Sequence, residues 1–284
     1  MYIKKIKNFL PDYNNLEVSD YLNILKNSNK EFSLIKLEKD FLLTLILINF
    51  WEKYPDLIFK WWTCLNKIYF PYFRLSEDLD FVINEDIWRT ARQTLLKKYE
   101  KDFAKDLWTL WLKLRDERTK FDEHKLAMFT FEYKSILDNS DQTIKIDISL
   151  KGKLYLQPMR WKIKSNFKDI VLEENIFWEH FINSINIKEA IAEKLRASLT
   201  RKEPAIRDFF DIWYVRKNSD FNFSDEKFIN LLDIKLKEVD YKYTLENNLE
   251  NLKNQIETDL IPVLNDDFWF NFEEIFKFIL SFKK

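Results

Sequence analysis

The stretch Phe59–Phe81, FKWWTCLNKIYFPYFRLSEDLDF, contains the pattern that decides the fold. Its second half predicts a strand over residues 74–83 in which polar and apolar side chains alternate. Because successive side chains of a strand face opposite ways, one face of this strand carries Arg74, Ser76, Asp78 and Asp80. Carboxylates at i and i+2 on one face supply the hard oxygen ligands that Mg²⁺ or Mn²⁺ prefers. Taken alone, an Asp-x-Asp pattern is more often a solvated strand face.

A second strand with the same alternation supplies a third carboxylate. It is predicted over residues 143–150, where Lys145, Asp147 and Ser149 face one way and isoleucines face the other. If the two strands are neighbours, Asp147 joins Asp78 and Asp80 in a group that we call the carboxylate set. Such a group can hold two metal ions that stabilise the attacking and leaving oxygens in nucleotidyl transfer. Solvated faces of two half-buried strands remain the alternative interpretation.

Charged residues also gather on the helices predicted over residues 187–215. Lys194 and Arg201 are seven residues apart, which places them on one helix face that is available to phosphates. Pro204 is suited to the first turn of the next helix, in which Asp208 and Asp211 are i, i+3 neighbours. An exposed charged face with local ion pairs remains the alternative interpretation.

The fold class is predicted from the order of the elements. Helices are predicted over 34–54, 63–69 and 85–104, strands over 57–60, 74–83, 107–114, 126–134 and 143–150, and helices again from Ile187 to the end. This mixture predicts an α/β core with a small sheet, followed by a helical region. We expect three regions, which are a helical appendage over 1–33, the α/β core over 34–160 and a mainly helical C-terminal domain over 161–284.

Composition excludes several classes of protein. With 284 residues, 46% hydrophobic and 33% charged, the chain is typical of soluble globular proteins. The longest apolar run, residues 41–50, is too short to span a membrane, and the N-terminus predicts no signal peptide.

A single cysteine, Cys64, fits a reducing cytoplasm. Because only two histidines accompany it, any metal is expected on carboxylates rather than in a zinc site. The net charge of −1 gives no overall attraction to nucleic acid.

The glycine and tryptophan counts are abnormal. Glycine makes up about 7% of an average protein, but this chain has one glycine and ten tryptophans. Turns, helix ends and phosphate-binding loops need residues that tolerate positive φ, and glycine does so at the least steric cost. The abundance of lysine, asparagine, isoleucine and phenylalanine indicates an AT-rich gene, which explains neither count.

Together, these segments resemble the AbiEii-type nucleotidyltransferase toxins, which include the MenT toxins and belong to the DNA-polymerase-β-like nucleotidyltransferase superfamily. The resemblance spans about residues 36–216 and rests on four segments in the right order. Each is weak alone, whereas four in order are a specific signal. They are the helix Leu37-Glu38-Lys39-Asp40-Phe41; the turn at 61–65 with Arg74-Leu75-Ser76-Glu77-Asp78-Leu79-Asp80; Lys145 with Asp147; and Ala192, Lys194, Ala197, Arg201, Arg207, Asp208 and Asp211.

The resemblance implies a polymerase-β-like core and roles for individual residues. It implies that the carboxylate set binds Mg²⁺ or Mn²⁺ and is catalytic. Thr63 and Ser76 would contact the triphosphate, Lys194 and Arg201 would bind phosphates, and Asp208 and Asp211 would complete the pocket. The full set of nucleotide-binding candidates is Trp61, Trp62, Thr63, Arg74, Ser76, Lys145, Lys194, Arg201, Asp208 and Asp211.

The implied reaction is transfer of a nucleoside monophosphate from an NTP to an acceptor, with release of pyrophosphate. In the best-understood relatives the acceptor is the 3′ end of tRNA, and the modification blocks translation. The implied setting is a toxin–antitoxin or phage-defence pair in the cytoplasm, with an antitoxin encoded nearby and no membrane partner. Two alternatives stay open: nucleotidylation of a protein or small-molecule hydroxyl, and an inactive fold retained as a binding module.

The sequence departs from the family pattern at Trp61-Trp62, where the family has a Gly-Gly turn. Small residues there let backbone N–H groups approach phosphate oxygens, and two indoles would occupy that space. The chain could be an inactive relative, or the indoles could form a base-stacking platform. Alternatively, the tryptophans are glycines, because some lineages read UGA as glycine and other codes read it as tryptophan. The composition favours the third explanation, which also turns Asp106–Trp111 into a DLGTLG stretch.

Overall fold

The computed structural model describes residues 18–28, 33–70, 74, 76–85, 87–115, 119–121, 126–150, 153–168, 174–177, 179–239, 245–264 and 269–283. Most of the predicted N-terminal appendage, residues 1–17 and 29–32, lies outside these ranges, as do Gly152 and His124. The described residues form helices around one mixed sheet, which confirms the predicted α/β class.

The described residues in the first part of the chain form four helices. They are α1 (Val18–Ser28), α2 (Leu34–Lys53), α3 (Trp61–Cys64), which continues as a π-helical turn over Leu65–Tyr69, and α4 (Arg89–Leu107), which ends in a 3₁₀ turn over Trp108–Leu110.

The later helices follow Ile185. They are α5 (Ile187–Thr200), α6 (Ile206–Asn218), α7 (Glu226–Lys237), α8 (Leu249–Gln255) and α9 (Phe272–Leu280), with short 3₁₀ or π turns at Leu245–Asn248, Ile256–Leu260 and Ile261–Val263. Among the described residues, no helix combines the length and the apolar character that a bilayer crossing requires.

The strands form one mixed sheet. They are β1 (Ile58–Lys60), β2 (Asp78–Val82), β3 (Lys113–Leu114), β4 (Thr119–Phe121), β5 (Leu126–Lys134), β6 (Asp141–Ser149), β7 (Met159–Lys162) and β8 (Phe181–Ser184). The spatial order is β3-β5-β6-β2-β1-β8-β7, and β4 also pairs with β5. The β2–β6 and β1–β8 pairs are parallel, whereas the other pairs are antiparallel.

Helices α2 and α4 cover the apolar face of the sheet. The ring of Phe50 in α2 contacts Phe81 of β2 at 5.9 Å between centroids, and Phe103 of α4 contacts Phe129 of β5 at 5.5 Å. Buried residues alternate with less buried ones along β5 and β6, as expected for strands with one covered face. The polar residues of β2 and β6 therefore lie on the opposite face.

The contacts between residues divide the chain into two compact units. The first unit contains residues 1–154 and 158–185, and therefore the whole sheet; the second contains 155–157 and 186–284. In the second unit, Glu189 of α5 accepts hydrogen bonds from the backbone N–H groups of Tyr155 and Leu156. The three-region division predicted from the sequence stays a prediction.

Most predicted elements are confirmed, but two strand predictions need correction. The strand predicted over 74–83 begins only at Asp78, so Arg74 and Ser76 precede it. The strand predicted over 107–114 is wrong, because this segment is the end of α4, a 3₁₀ turn and the two-residue β3. Its alternating leucines and tryptophans belong to a helix terminus. Strands β7 and β8 were not predicted, since neither has a regular alternation bounded by turn residues.

The end of α4 has the hydrogen bonds of a Schellman motif. The N–H of Leu112 donates to the carbonyl of Leu107 at 3.2 Å, and the N–H of Trp111 donates to Trp108 at 3.1 Å. Leu107 and Leu112 are both fully buried. In this motif the residue in the Trp111 position is usually glycine, because its conformation is left-handed. Trp111 has φ 63° and ψ 20°, which supports the interpretation of this position as a glycine.

We predict that Trp111→Gly is more stable than Trp111→Ala by about 1 kcal/mol, because alanine keeps the left-handed strain that glycine removes. Both variants lose the same indole, so the comparison isolates the backbone. The order should reverse at Trp108, whose φ is an ordinary −56°; there Trp108→Gly should be less stable than Trp108→Ala by about 1 kcal/mol. Urea unfolding of the four variants measures both differences. A Trp111→Gly variant that is no more stable than Trp111→Ala would contradict the glycine interpretation of this position.

Candidate active site

The sheet brings the carboxylate set together as predicted. Strands β2 and β6 are parallel neighbours in which Asp80 pairs with Asp147 and Asp78 pairs with Lys145. Paired residues of adjacent strands face the same way, so all three carboxylates lie on the face away from α2 and α4. All three side chains are half-buried.

The electrostatics of this face depend most strongly on Asp147. Burial, together with the nearby carboxylates of Asp80 and Asp78, raises the pKa of Asp147 to about 7, while Lys145 and Lys60 act in the opposite direction. Its Oδ1 atom is buried and accepts no hydrogen bond within the described part of the chain. A buried carboxylate oxygen with no donor, beside two further carboxylates, is suited to a cation.

The three carboxylates do not converge on a single point. Among the described residues, no three His, Cys, Asp or Glu side chains are arranged to hold a metal ion by themselves. Mg²⁺ is usually held by one or two carboxylates together with waters and substrate phosphates rather than by an all-protein cage. The carboxylate set therefore fits a metal that is bound together with a nucleotide.

A turn at Trp61 joins β1 to α3 beside the carboxylate set. Trp61 has φ 59°, the left-handed region that is unusual for a bulky residue and favours glycine. The hydroxyl of Thr63 donates to the backbone carbonyl of Asp78 at 2.6 Å and lies 2.5 Å from the hydroxyl of Ser76. These contacts fix the start of α3 against β2 and place Thr63 and Ser76 next to each other, while their contact with a triphosphate stays a prediction.

Trp62 is buried and stacks on Arg74. The guanidinium carbon of Arg74 lies 3.3 Å from the centroid of the indole ring, and Arg74 is itself buried. The side-chain amide of Asn66 donates to the carbonyl of Arg74 at 2.7 Å. The indole of Trp62 thus contacts the guanidinium of Arg74, a predicted nucleotide-binding residue, inside the protein.

The helical candidates lie together in the second unit. Lys194 Nζ contacts Asp208 at 2.5 Å and Asp211 at 3.1 Å, and Arg201 contacts the other oxygen of Asp208 at 2.9 Å. Lys194 and both aspartates are buried, whereas 39% of the Arg201 side chain is exposed. As phosphate ligands, Lys194 and Arg201 stay predictions, as does the role of Asp208 and Asp211 in completing a pocket.

Lys60 was missed by sequence reasoning. It is the last residue of β1 and pairs with Asp80, so it faces the carboxylate set, and it is one of the two cations that lower the pKa of Asp147. The alternation Ile58-Phe59-Lys60 could have placed it on the polar face. An alternation over only three residues is too short to predict which way a side chain faces.

Comparisons with known proteins identify a family and similar solved structures. The family described as "Nucleotidyl transferase AbiEii toxin, Type IV TA system" matches residues 52–273. The crystal structure of JHP933 from Helicobacter pylori is similar with a TM-score of 0.51 and 19% identity, over 88% of this chain and 91% of that chain. A candidate nucleotidyltransferase from H. pylori gives a TM-score of 0.49 and 20% identity, over 88% and 94% of the two chains. Curated proteins give no match.

Proposed function

Because this chain belongs to the AbiEii family of nucleotidyltransferase toxins of type IV toxin–antitoxin systems, we propose that it transfers a nucleoside monophosphate from an NTP to the 3′ end of an RNA, with the tRNA acceptor end as the substrate. The cognate antitoxin is the proposed partner of the system, and the proposed compartment is the cytoplasm, where the single buried Cys64 stays reduced.

The proposal rests on one observation. Asp78, Asp80 and Asp147 are adjacent on the polar face of the sheet. Asp78, Asp80 and Asp147 are the residues that would hold Mg²⁺ or Mn²⁺ together with the NTP. Such ions neutralise the charge that develops on the phosphate oxygens and orient the α-phosphorus for attack. The buried Oδ1 of Asp147, which accepts no hydrogen bond from the described residues, supports this assignment.

The chain's own groups supply positioning and proton transfer. Thr63 and Ser76, which lie against each other and against β2, are proposed to bind triphosphate oxygens. The 3′ hydroxyl oxygen forms the new bond to the α-phosphorus, the bond from the α-phosphorus to the bridging oxygen of the β-phosphate breaks, and pyrophosphate leaves. We propose Asp147 as the acceptor of the hydroxyl proton, because it is the carboxylate that faces the site from β6.

Incubation with labelled NTPs tests the proposal. The chain, and separately its Trp61→Gly/Trp62→Gly variant, is incubated with each α-³²P-labelled NTP, Mg²⁺ and either total RNA or total protein. We expect label in RNA of tRNA size, dependent on Mg²⁺ and absent when periodate has oxidised the RNA 3′ ends. Label in protein would replace the RNA proposal by protein nucleotidylation, and no label with either variant would favour an inactive binding module.

A further inference from the structure

One turn of α2 carries three consecutive charged residues into the interior of the first unit. Glu38, Lys39 and Asp40, which we call the charged triplet, are 2%, 9% and 2% exposed. Successive residues of an α-helix point about 100° apart, so three neighbours can reach three different segments. Burying a charge is costly unless it is paired, and each member of the triplet has a charged or hydrogen-bonding partner on a different element.

Asp40 contacts the helical segment that follows the turn at Trp61. Its Oδ1 lies 2.9 Å from the ammonium of Lys67, which is 0% exposed. The same ammonium donates to the hydroxyl of Thr44 at 2.8 Å, and that hydroxyl donates to the backbone carbonyl of Asp40 at 2.9 Å. Lys67 lies one turn after Thr63, so this contact fixes the segment that carries a proposed triphosphate ligand to α2.

Lys39 contacts the entry to β2. Its ammonium lies 3.6 Å from a carboxylate oxygen of Glu77. Glu77 stands between Ser76 and Asp78, which are two of the proposed site residues. This ion pair, in which 49% of the Glu77 side chain is exposed, links α2 to the residue that precedes Asp78.

Glu38 contacts the turn between β5 and β6. One carboxylate oxygen accepts from the hydroxyl of Ser135 at 2.7 Å, and the other accepts from the backbone N–H of Ile136 at 2.8 Å. Strand β6 begins five residues after Ile136 and carries Lys145 and Asp147. The contact anchors the hairpin that presents the third carboxylate.

We propose that the charged triplet positions the nucleotidyltransferase site, because its three members fix the three separate segments that carry Thr63, Asp78 with Asp80, and Asp147. This inference rests on the proposed function, and it assigns Glu38, Lys39, Asp40 and Lys67 as positioning residues that need not touch the substrate. A buried ion pair is a weak source of stability, since apolar residues of similar size often fold as well or better. Its value here is the fixed geometry of the segments that it joins.

The double variant Asp40→Leu/Lys67→Met tests this inference, because it removes both buried charges at once and fills their space with apolar groups. We expect a thermal midpoint near that of the parent, amide hydrogen exchange about tenfold faster over residues 61–69 and 76–82, and kcat lowered about 10- to 100-fold, as expected for misplaced catalytic groups. Transfer is measured in the parent or in the Trp61→Gly/Trp62→Gly background, whichever is more active. Amide hydrogen exchange of the double variant is measured in the parent background, and this measurement does not depend on enzymatic activity.

Lys235→Met is the matched control, since it removes another buried ammonium, 2.8 Å from Glu189 in the second unit. It should leave exchange over 61–69 and 76–82 unchanged. Should the double variant not fold, Lys39→Met replaces it, and Lys39→Arg should restore both exchange and transfer. Parental exchange and parental kcat in the double variant would overturn the inference, as would equal loosening in Lys235→Met. Absence of transfer from the parent and the Gly background would count against the proposed function alone.

Discussion

Asp80→Asn is expected to lower nucleotidyl transfer by about 10³-fold or more. Asp80 is the central member of the carboxylate set, because it lies on the strand between Lys60 of β1 and Asp147 of β6. An amide keeps the shape of the side chain but removes the charge that a hard divalent cation requires. Loss of one metal-binding carboxylate removes several kcal/mol of transition-state stabilisation, and about 4 kcal/mol corresponds to a factor of about 10³ in rate.

The measurement is single-turnover transfer of labelled nucleotide to RNA at saturating Mg²⁺. Asp141→Asn is the control, because Asp141 is an aspartate of the neighbouring strand β6 that is 84% exposed and forms an ion pair with Lys134 at 2.7 Å. We expect parental activity from that variant and an unchanged unfolding midpoint from both. Retention of more than about a tenth of the parental rate by Asp80→Asn would refute its role as a metal ligand.

The strands and helices that the sequence predicted correctly are those whose burial follows a regular pattern along the chain. Strands β5 and β6 alternate along nine residues each, and the continuous apolar pattern of α2 reflects a helix that is buried on nearly all sides. The strand prediction over residues 107–114 was wrong for a physical reason. A Schellman helix end also produces alternating apolar residues. Such an end is usually marked by a glycine, but the sequence has tryptophan at position 111.

The candidate site was predictable where its residues share a short strand or a single helix. Asp78 and Asp80 are two residues apart, and the alternation of β6 fixed the direction of Asp147, so only the pairing of the strands had to be assumed. The charged triplet could not be predicted. Its partners Lys67, Glu77 and Ser135 are 27, 38 and 97 residues away from their respective triplet members in sequence, and three adjacent charges in a helix ordinarily indicate a solvated face.

The second large effect is expected from Trp61→Gly/Trp62→Gly, which should raise nucleotidyl transfer by about 10²-fold over the chain that has tryptophan at both positions. Glycine at position 61 accepts the left-handed turn without strain, and its backbone N–H can approach a phosphate oxygen. Removal of the indole at position 62 releases the Arg74 guanidinium that now stacks 3.3 Å from the ring centroid. Both changes open the space beside Thr63, and a misplacement of about 1 Å can cost about 10² in rate.

The single variants separate the two effects by opposite changes in stability. Trp61→Gly should stabilise the fold relative to Trp61→Ala, because only glycine relieves the positive φ of 59°. Trp62→Gly should lower the unfolding midpoint while raising transfer, because Trp62 is a buried side chain whose loss leaves a cavity. Trp88→Gly is the control, since Trp88 is 85% exposed and has an ordinary φ of −60°; it should leave transfer unchanged. If the indoles instead stack the nucleotide base, the double variant would transfer less than the printed chain and bind NTP more weakly, and UGG codons at both positions would exclude misread glycines.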